Sequence, residues 1–232
     1  MKSLGLLISD RPASGPYRAG LLAASEALIR GEWVGIYLLD EAVQGVGSEE
    51  LIRLTDDGLH LFACSHAARV FGVAITSSAI FGGLSMLGDL LAKVSCFAHP
   101  SRLGKAMHFF QSVPPGQLRR ILMQVTGDPR KSGKPAEAVR AGIGLSAWSQ
   151  VEVDFCFVGA SALAFAEDLS GLLGEDLLER YVPSLLEWPR PIYLLAPLMK
   201  PLEMRGAGGK FVCLSKEESD RVEAEHDVLL RL

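Results

Sequence analysis

The chain has 232 residues, enough for one large or two small domains around a substantial buried core. A formal charge of −4 without any basic stripe argues against nucleic acid as the main partner, because phosphate binding needs clustered Lys and Arg. The longest apolar stretch, residues 74–98, is broken by Asp89 and Lys93, which would be costly within a bilayer, so no membrane partner is expected.

Taken in order, the first half alternates strand and helix. Residues 1–8 are too short an apolar run for a signal peptide, and Leu4–Ile8 reads as a first strand. An Ala/Leu-rich helix over Arg18–Arg30, a strand over Trp33–Leu39 and a helix over Ser48–Thr55 capped by Ser48 follow. Leu59–Ala63 is the third strand, and Ser65 offers an N-cap hydroxyl to an Ala-rich turn closed by Gly72. A short strand at Ala79–Phe81, a helix at Ser85–Leu91 and a strand at Val94–Ala98 complete the half. Strands alternating with helices predict an α/β fold, a mostly parallel sheet flanked by helices.

After Pro114-Pro115-Gly116 the pattern begins again. Leu122–Thr126 matches Leu4–Ile8, and Val151–Phe157 matches Trp33–Leu39, each pair 118 residues apart, with an Ala-rich helix over Ala136–Ser149 between them. A helical insertion over residues 167–186 follows, after which the strand at 191–197 aligns with 59–64 and sets Pro197 against Cys64. A strand over residues 210–215, a charged helix from Lys216 to Glu225 and a strand over 227–232 close the repeat. Two tandem halves are therefore expected, residues 1–113 and 117–232.

The four cysteines, Cys64, Cys96, Cys156 and Cys213, have no C-x-x-C spacing and suggest neither a zinc site nor a disulfide framework, which fits a reducing cytoplasm. Cys96, Cys156 and Cys213 sit inside apolar segments and read as structural thiols. Cys64 alone falls at an element boundary, at a strand's carboxyl end and a helix's amino end, where N–H groups and positive charge from His66 and Arg69 favour a thiolate. A buried packing role is the other reading of the same residue. Asp10, Asp40 and Glu41 follow the first two strands and could line the same mouth, although strand-end carboxylates also serve as caps. Residues 127–135 imitate a phosphate loop, but Asp128 stands where glycine is needed and Pro135 where a hydroxyl is needed. His99 and His108 lack partners at ligand spacing, so no metal or other cofactor is proposed.

The run from Cys64 to Val73, with Phe81-Gly82-Gly83-Leu84-Ser85-Met86-Leu87-Gly88-Asp89-Leu90-Leu91 and the strand Val94–Ala98, resembles the DsrE/DsrF/TusD-like family of sulfur-relay proteins. The likeness extends over residues 1 to about 100 and more loosely over the second half. It implies two tandem DsrE-like α/β repeats and a persulfide carried on Cys64 as the catalytic residue; His66, Arg69 and Asp10, from their own placement near that strand end, are the expected substrate-binding neighbours. It further implies transfer of sulfane sulfur to other sulfur-relay proteins, and a homo-oligomer, a trimer of two-repeat chains. The alternative is a non-catalytic DsrE-fold binding or interaction module, which the proline aligned with Cys64 favours.

Overall fold

A computed structural model describes residues 2–98, 100, 117–206 and 210–232. His99 and His108 lie outside them, as does the Pro114-Pro115-Gly116 break. The chain divides into two compact units, residues 1–119 and 120–232.

The first unit contains β1 (Ser3–Ile8), α1 (Gly15–Ile29), β2 (Trp33–Leu38), α2 (Glu49–Asp56), β3 (His60–Cys64), α3 (Ser65–Val70), β4 (Ile80–Gly82), α4 (Leu84–Lys93) and β5 (Cys96–Ala98). Its sheet has the order β4-β3-β2-β1-β5, all parallel. Right-handed crossovers put the helices between β1 and β4 on one face, and the return from β4 past β1 puts α4 on the other. The strands are continuous apolar runs because both faces are covered: Leu6, Leu7 and Ile8 in β1 and Ile36, Tyr37 and Leu38 in β2 have no exposed surface. Full burial of each such aliphatic side chain contributes about 1.5–3 kcal/mol. Ser14 caps α1 by accepting from Tyr17 N at 3.2 Å, and Ser48 caps α2 by accepting from Leu51 N at 3.4 Å. β1 and β5 are joined at their amino ends by a reciprocal serine pair: Ser3 N donates to Ser95 Oγ at 3.0 Å and Ser95 N to Ser3 Oγ at 2.8 Å.

The second unit contains β6 (Arg119–Val125, which starts on the last residue of the first unit), α5 (Lys134–Ser146), β7 (Val151–Val158), α6 (Glu175–Leu186), β8 (Ile192–Leu195), β9 (Phe211–Leu214), α7 (Lys216–Ala224) and β10 (Val228–Arg231). Its sheet order, β9-β8-β7-β6-β10, repeats that of the first sheet strand for strand. The fold is therefore α/β, with two five-stranded parallel sheets flanked by helices. In each unit a 3-10 turn follows the second strand, and each turn opens on a left-handed residue, Asp40 (φ 50°) or Gly159 (φ 59°).

Three local readings change. The expected helix over 167–186 begins only at Glu175; Gly174, at φ 79°, holds the left-handed conformation that separates α6 from the preceding turns. The residues read as an apolar strand around Cys156 alternate instead. Glu152, Asp154 and Cys156 share one face of β7, and Val153, Phe155 and Phe157 share the other. The repeat register also differs from a uniform offset. Ile8 and Val125 end the first strands, 117 apart, whereas the positive-φ residues pair Leu38 with Phe157, 119 apart. Leu38 neighbours Ala63 and Phe157 neighbours Leu194, so Leu195, rather than Pro197, holds the position of Cys64.

Candidate functional site at the end of the third strand

Cys64 is the last residue of β3 and itself occupies the N-cap position of α3, so Ser65 is the first residue of the helix instead of its cap. The Cys64 side chain makes no capping hydrogen bond to that helix. It has no exposed surface. The reason lies in the register. Cys64 is opposite Gly82 of β4, and alternation sets it on the α4 side of the sheet, in one row with Phe62 and on one face with Tyr37. The Tyr37 hydroxyl crosses to the entry of α4 and donates to the carbonyl oxygen of Gly83 at 3.1 Å, with that of Gly82 at 3.4 Å. Met86 lies directly over Gly82, where a Cβ would come 1.9 Å from its sulfur. The missing side chain at residue 82 is what lets Met86 settle against the sheet beside Cys64.

The other sequence candidates sit around this point. His66 and Arg69 face each other on the outer side of α3, with Arg69 Nη2 3.3 Å from His66 Nδ1, and Arg69 is exposed. Asp10 is half-buried after β1, two strands from β3 in the sheet order, which is roughly 10 Å at ordinary strand spacing. Asp40 and Glu41 form the start of the 3-10 turn after β2. In the second unit Leu195 and then Ala196 follow the same path, and a 3-10 turn, Pro201–Glu203, is formed in the connection that α3 occupies in the first.

The remaining cysteines divide by environment. Burial pushes the Cys156 thiol up to about 12, with Glu223 adding to the shift, and pushes Cys96 up to about 11, with Glu32 adding. Cys213, expected to be a structural thiol, is exposed on β9. None of the four is in a disulfide.

A second polar assembly was missed in the sequence because its members are far apart along the chain. At the amino ends of β6, β7 and β8, Arg190 forks onto the carboxylate of Asp154 and also pairs with Glu152. Arg120 lies 3.7 Å from Glu152 and donates to Glu225 O at 3.1 Å, and His226 Nε2 lies 2.8 Å from Asp154 Oδ2. Burial alone would raise the Asp154 pKa, but Arg190 and His226 overcome it and hold the carboxyl at about 2. The alternation Val-Glu-Val-Asp at the start of β7 is the one local signal that pointed to a polar face. These charges answer one another, so the assembly ties the turn between α7 and β10 to β6 and β7.

The phosphate-loop imitation is closed by its own contacts: Arg130 pairs with Asp128 at 2.7 Å, and Lys134 is the first residue of α5. A depression of about 440 Å³ lined by Ser25, Leu28, Ile29, Arg53, Leu54 and Asp57 lies between the last turns of α1 and α2, at the end of the unit away from Cys64. Among the described residues no three His, Cys, Asp or Glu side chains gather as a metal site, and no helix is long and apolar enough to cross a membrane. No family model matches the chain, and no curated protein matches it.

Proposed function

We propose that the chain is a non-catalytic binding and interaction protein built from two DsrE-like α/β repeats, in which Cys64 is a packing residue. The burial of Cys64 supports this reading above all. A sulfur carrier must bring its thiolate to a donor, and rates of thiol exchange depend on access as much as on thiolate fraction. His66 and Arg69 engage each other, and the repeat places Leu195 at the cysteine position, an aliphatic side chain that can only pack. Four cysteines without a disulfide suit a reducing cytoplasm.

One observation favours the sulfur-carrier reading: Cys64 ends a strand at the N-cap position of a helix, opposite the glycine over which the flexible Met86 side chain lies. In that reading the Cys64 thiolate attacks the outer sulfur of a donor persulfide. A new S–S bond forms, the donor's S–S bond breaks, the donor leaves as thiolate, and the persulfide passes to a relay partner.

Incubation of the folded protein with a persulfide donor, followed by peptide mass spectrometry, separates the two. No added sulfur on Cys64 in the folded chain, with labelling by iodoacetamide only after denaturation, is the expected result. A persulfide confined to Cys64 and lost in Cys64→Ser establishes the carrier instead.

A further inference from the structure

The two units build the same corner in different ways. In the second, α6 packs along α5 and is followed by Trp188, whose ring meets Phe155 edge-on with centroids 5.8 Å apart and whose Nε1 donates to the carbonyl oxygen of Val153 at 3.2 Å. Among the described residues no large apolar side chain of α5 or α6 is exposed. In the first unit α2 holds the place of α6 but has 8 residues where α6 has 12, and it buries Leu51 and Leu54 where α6 buries Leu178, Val182 and Leu185. Ala63 beside Leu38 corresponds to Leu194 beside Phe157, so Trp188 and Asp57, each six residues earlier, hold the same position. A carboxylate stands where the repeat has an indole.

What remains at that corner of the first unit is the depression of about 440 Å³ between the last turns of α1 and α2. Leu28, Ile29 and Leu54 give it an apolar lining, and Ser25, Arg53 and Asp57 complete it. These side chains line one concavity, so the surface is continuous. Ile29 is 83% exposed, and Leu22, seven residues earlier on the same stripe of α1, is 61% exposed. The setting is also acidic. α2 and its cap expose Glu49, Glu50, Asp56 and Asp57 against one cation, Arg53. Both helices bring their carboxyl ends here, α1 has no basic residue in its last turn, and its cap Arg30 is engaged by Glu32.

We propose that the depression docks a basic segment of a partner protein, which seats an aromatic side chain among Leu28, Ile29 and Leu54 and turns lysine or arginine toward Asp56 and Asp57. The aromatic anchor is read from the repeat. The second unit fills its copy of the corner with its own Trp188, and tryptophan is among the side chains most enriched at interface hot spots. Arg53 is placed to lie over such a ring. The basic flanks are read from the charge: four carboxylates and two helix carboxyl ends favour a cationic partner, whereas a second copy of the chain would bring the same carboxylates to the seam. The proposal names the partner chemistry for the interaction reading and rests on it. A persulfide on Cys64 would end that reading and leave the titrations below as they are, so the two failures are distinguishable.

Isothermal titration of the full chain with a short amidated peptide of lysine and alanine bearing one central tryptophan tests the proposal, with amide shifts in NMR spectra locating the site. Saturable binding is expected, with shifts centred on Ile29, Leu54 and Asp57. It should weaken at least about tenfold when the lysines are exchanged for glutamate or the tryptophan for alanine. Asp57→Trp, which fills the corner as Trp188 does, and Ile29→Ser should each weaken the peptide at least about tenfold. Leu198→Ser, at an exposed apolar position of the second unit, should leave it unchanged. Circular dichroism and urea midpoints establish that each variant is folded. Equal affinity for the lysine and glutamate peptides, binding of neither, or binding indifferent to both first-unit variants overturns the proposal. A dimer of the free chain that Asp57→Trp abolishes in sedimentation overturns it as well, and assigns the depression to a second copy.

Discussion

His226 lies with Nε2 2.8 Å from Asp154 Oδ2 and Nδ1 2.6 Å from the carbonyl oxygen of Val222. Both neighbours are hydrogen-bond acceptors, so the ring sits between a carboxylate and a main-chain carbonyl. With Arg190 on the other side, Asp154 is a buried carboxylate held between two donors.

The acid limb of stability should follow from this. The folded pKa of Asp154, about 2, lies below its ordinary 3.8. Its contribution is therefore complete above about pH 4 and is lost as the pH falls toward 2, amounting to about 2 kcal/mol. Urea unfolding at intervals from pH 5 to pH 2 measures it. Asp154→Asn should cost about 3 kcal/mol at neutral pH, because Arg190 loses its buried counter-charge, and should flatten the acid limb. Parallel acid limbs in the two proteins would show that Asp154 is not the titrating group.

Gly142 lets α5 approach β7. A Cβ at this position would come 2.3 Å from Cζ of Phe155, a fully buried ring held edge-on by Trp188 with ring centroids 5.8 Å apart. Gly142→Ala is expected to lower stability by about 2 kcal/mol, overriding the helix preference of alanine. Gly15→Ala, with no atom within 4 Å, should change it by less than about 0.5 kcal/mol. Urea midpoints of the two variants make the comparison.

Thiol labelling should separate the cysteines by access. Iodoacetamide is expected to modify exposed Cys213 first and half-buried Cys96 much later, while Cys64 and Cys156 wait for unfolding. Time-resolved peptide mass spectrometry reads the order, and early modification of Cys64 would refute its packing role.

Tyr37→Phe removes the hydroxyl that ties β2 to the entry of α4. A cost of about 1–2 kcal/mol is expected from the lost bond to the Gly83 carbonyl. Labelling of Cys64 should also quicken, since the same contact anchors the entry of α4, which lies on the Cys64 side of the sheet. A variant as stable as the parent, with Cys64 equally slow, would assign no role to the hydroxyl.

The element order was legible because parallel strands buried on both faces read as apolar runs and because Ser48 marks its helix start plainly. The duplication was legible for the same reason. The register was not. Side chains in a strand alternate, so offsets of 117 and 119 in place of a uniform 118 reverse which residues face the core. Cys64 could be located at the strand end, but Tyr37, Gly82 and Met86, which share its side of the sheet, come from segments that no local pattern joins to it. Likewise Asp154, Arg190 and His226 meet only through the sheet order.

The serine pair that fastens β5 to β1 spans 92 residues of chain. Strands β1 to β4 add in sequence order, each beside its predecessor, while β5 must close a loop whose entropy is about 4 kcal/mol by the (3/2)RT ln n scaling. Zipping of four strands with late docking of the fifth is the folding order this topology favours. Ser3→Ala and Ser95→Ala should accordingly hasten unfolding and leave the refolding rate nearly untouched in stopped-flow traces. The ladder's last rung then governs how long the first unit stays folded more than how quickly it folds.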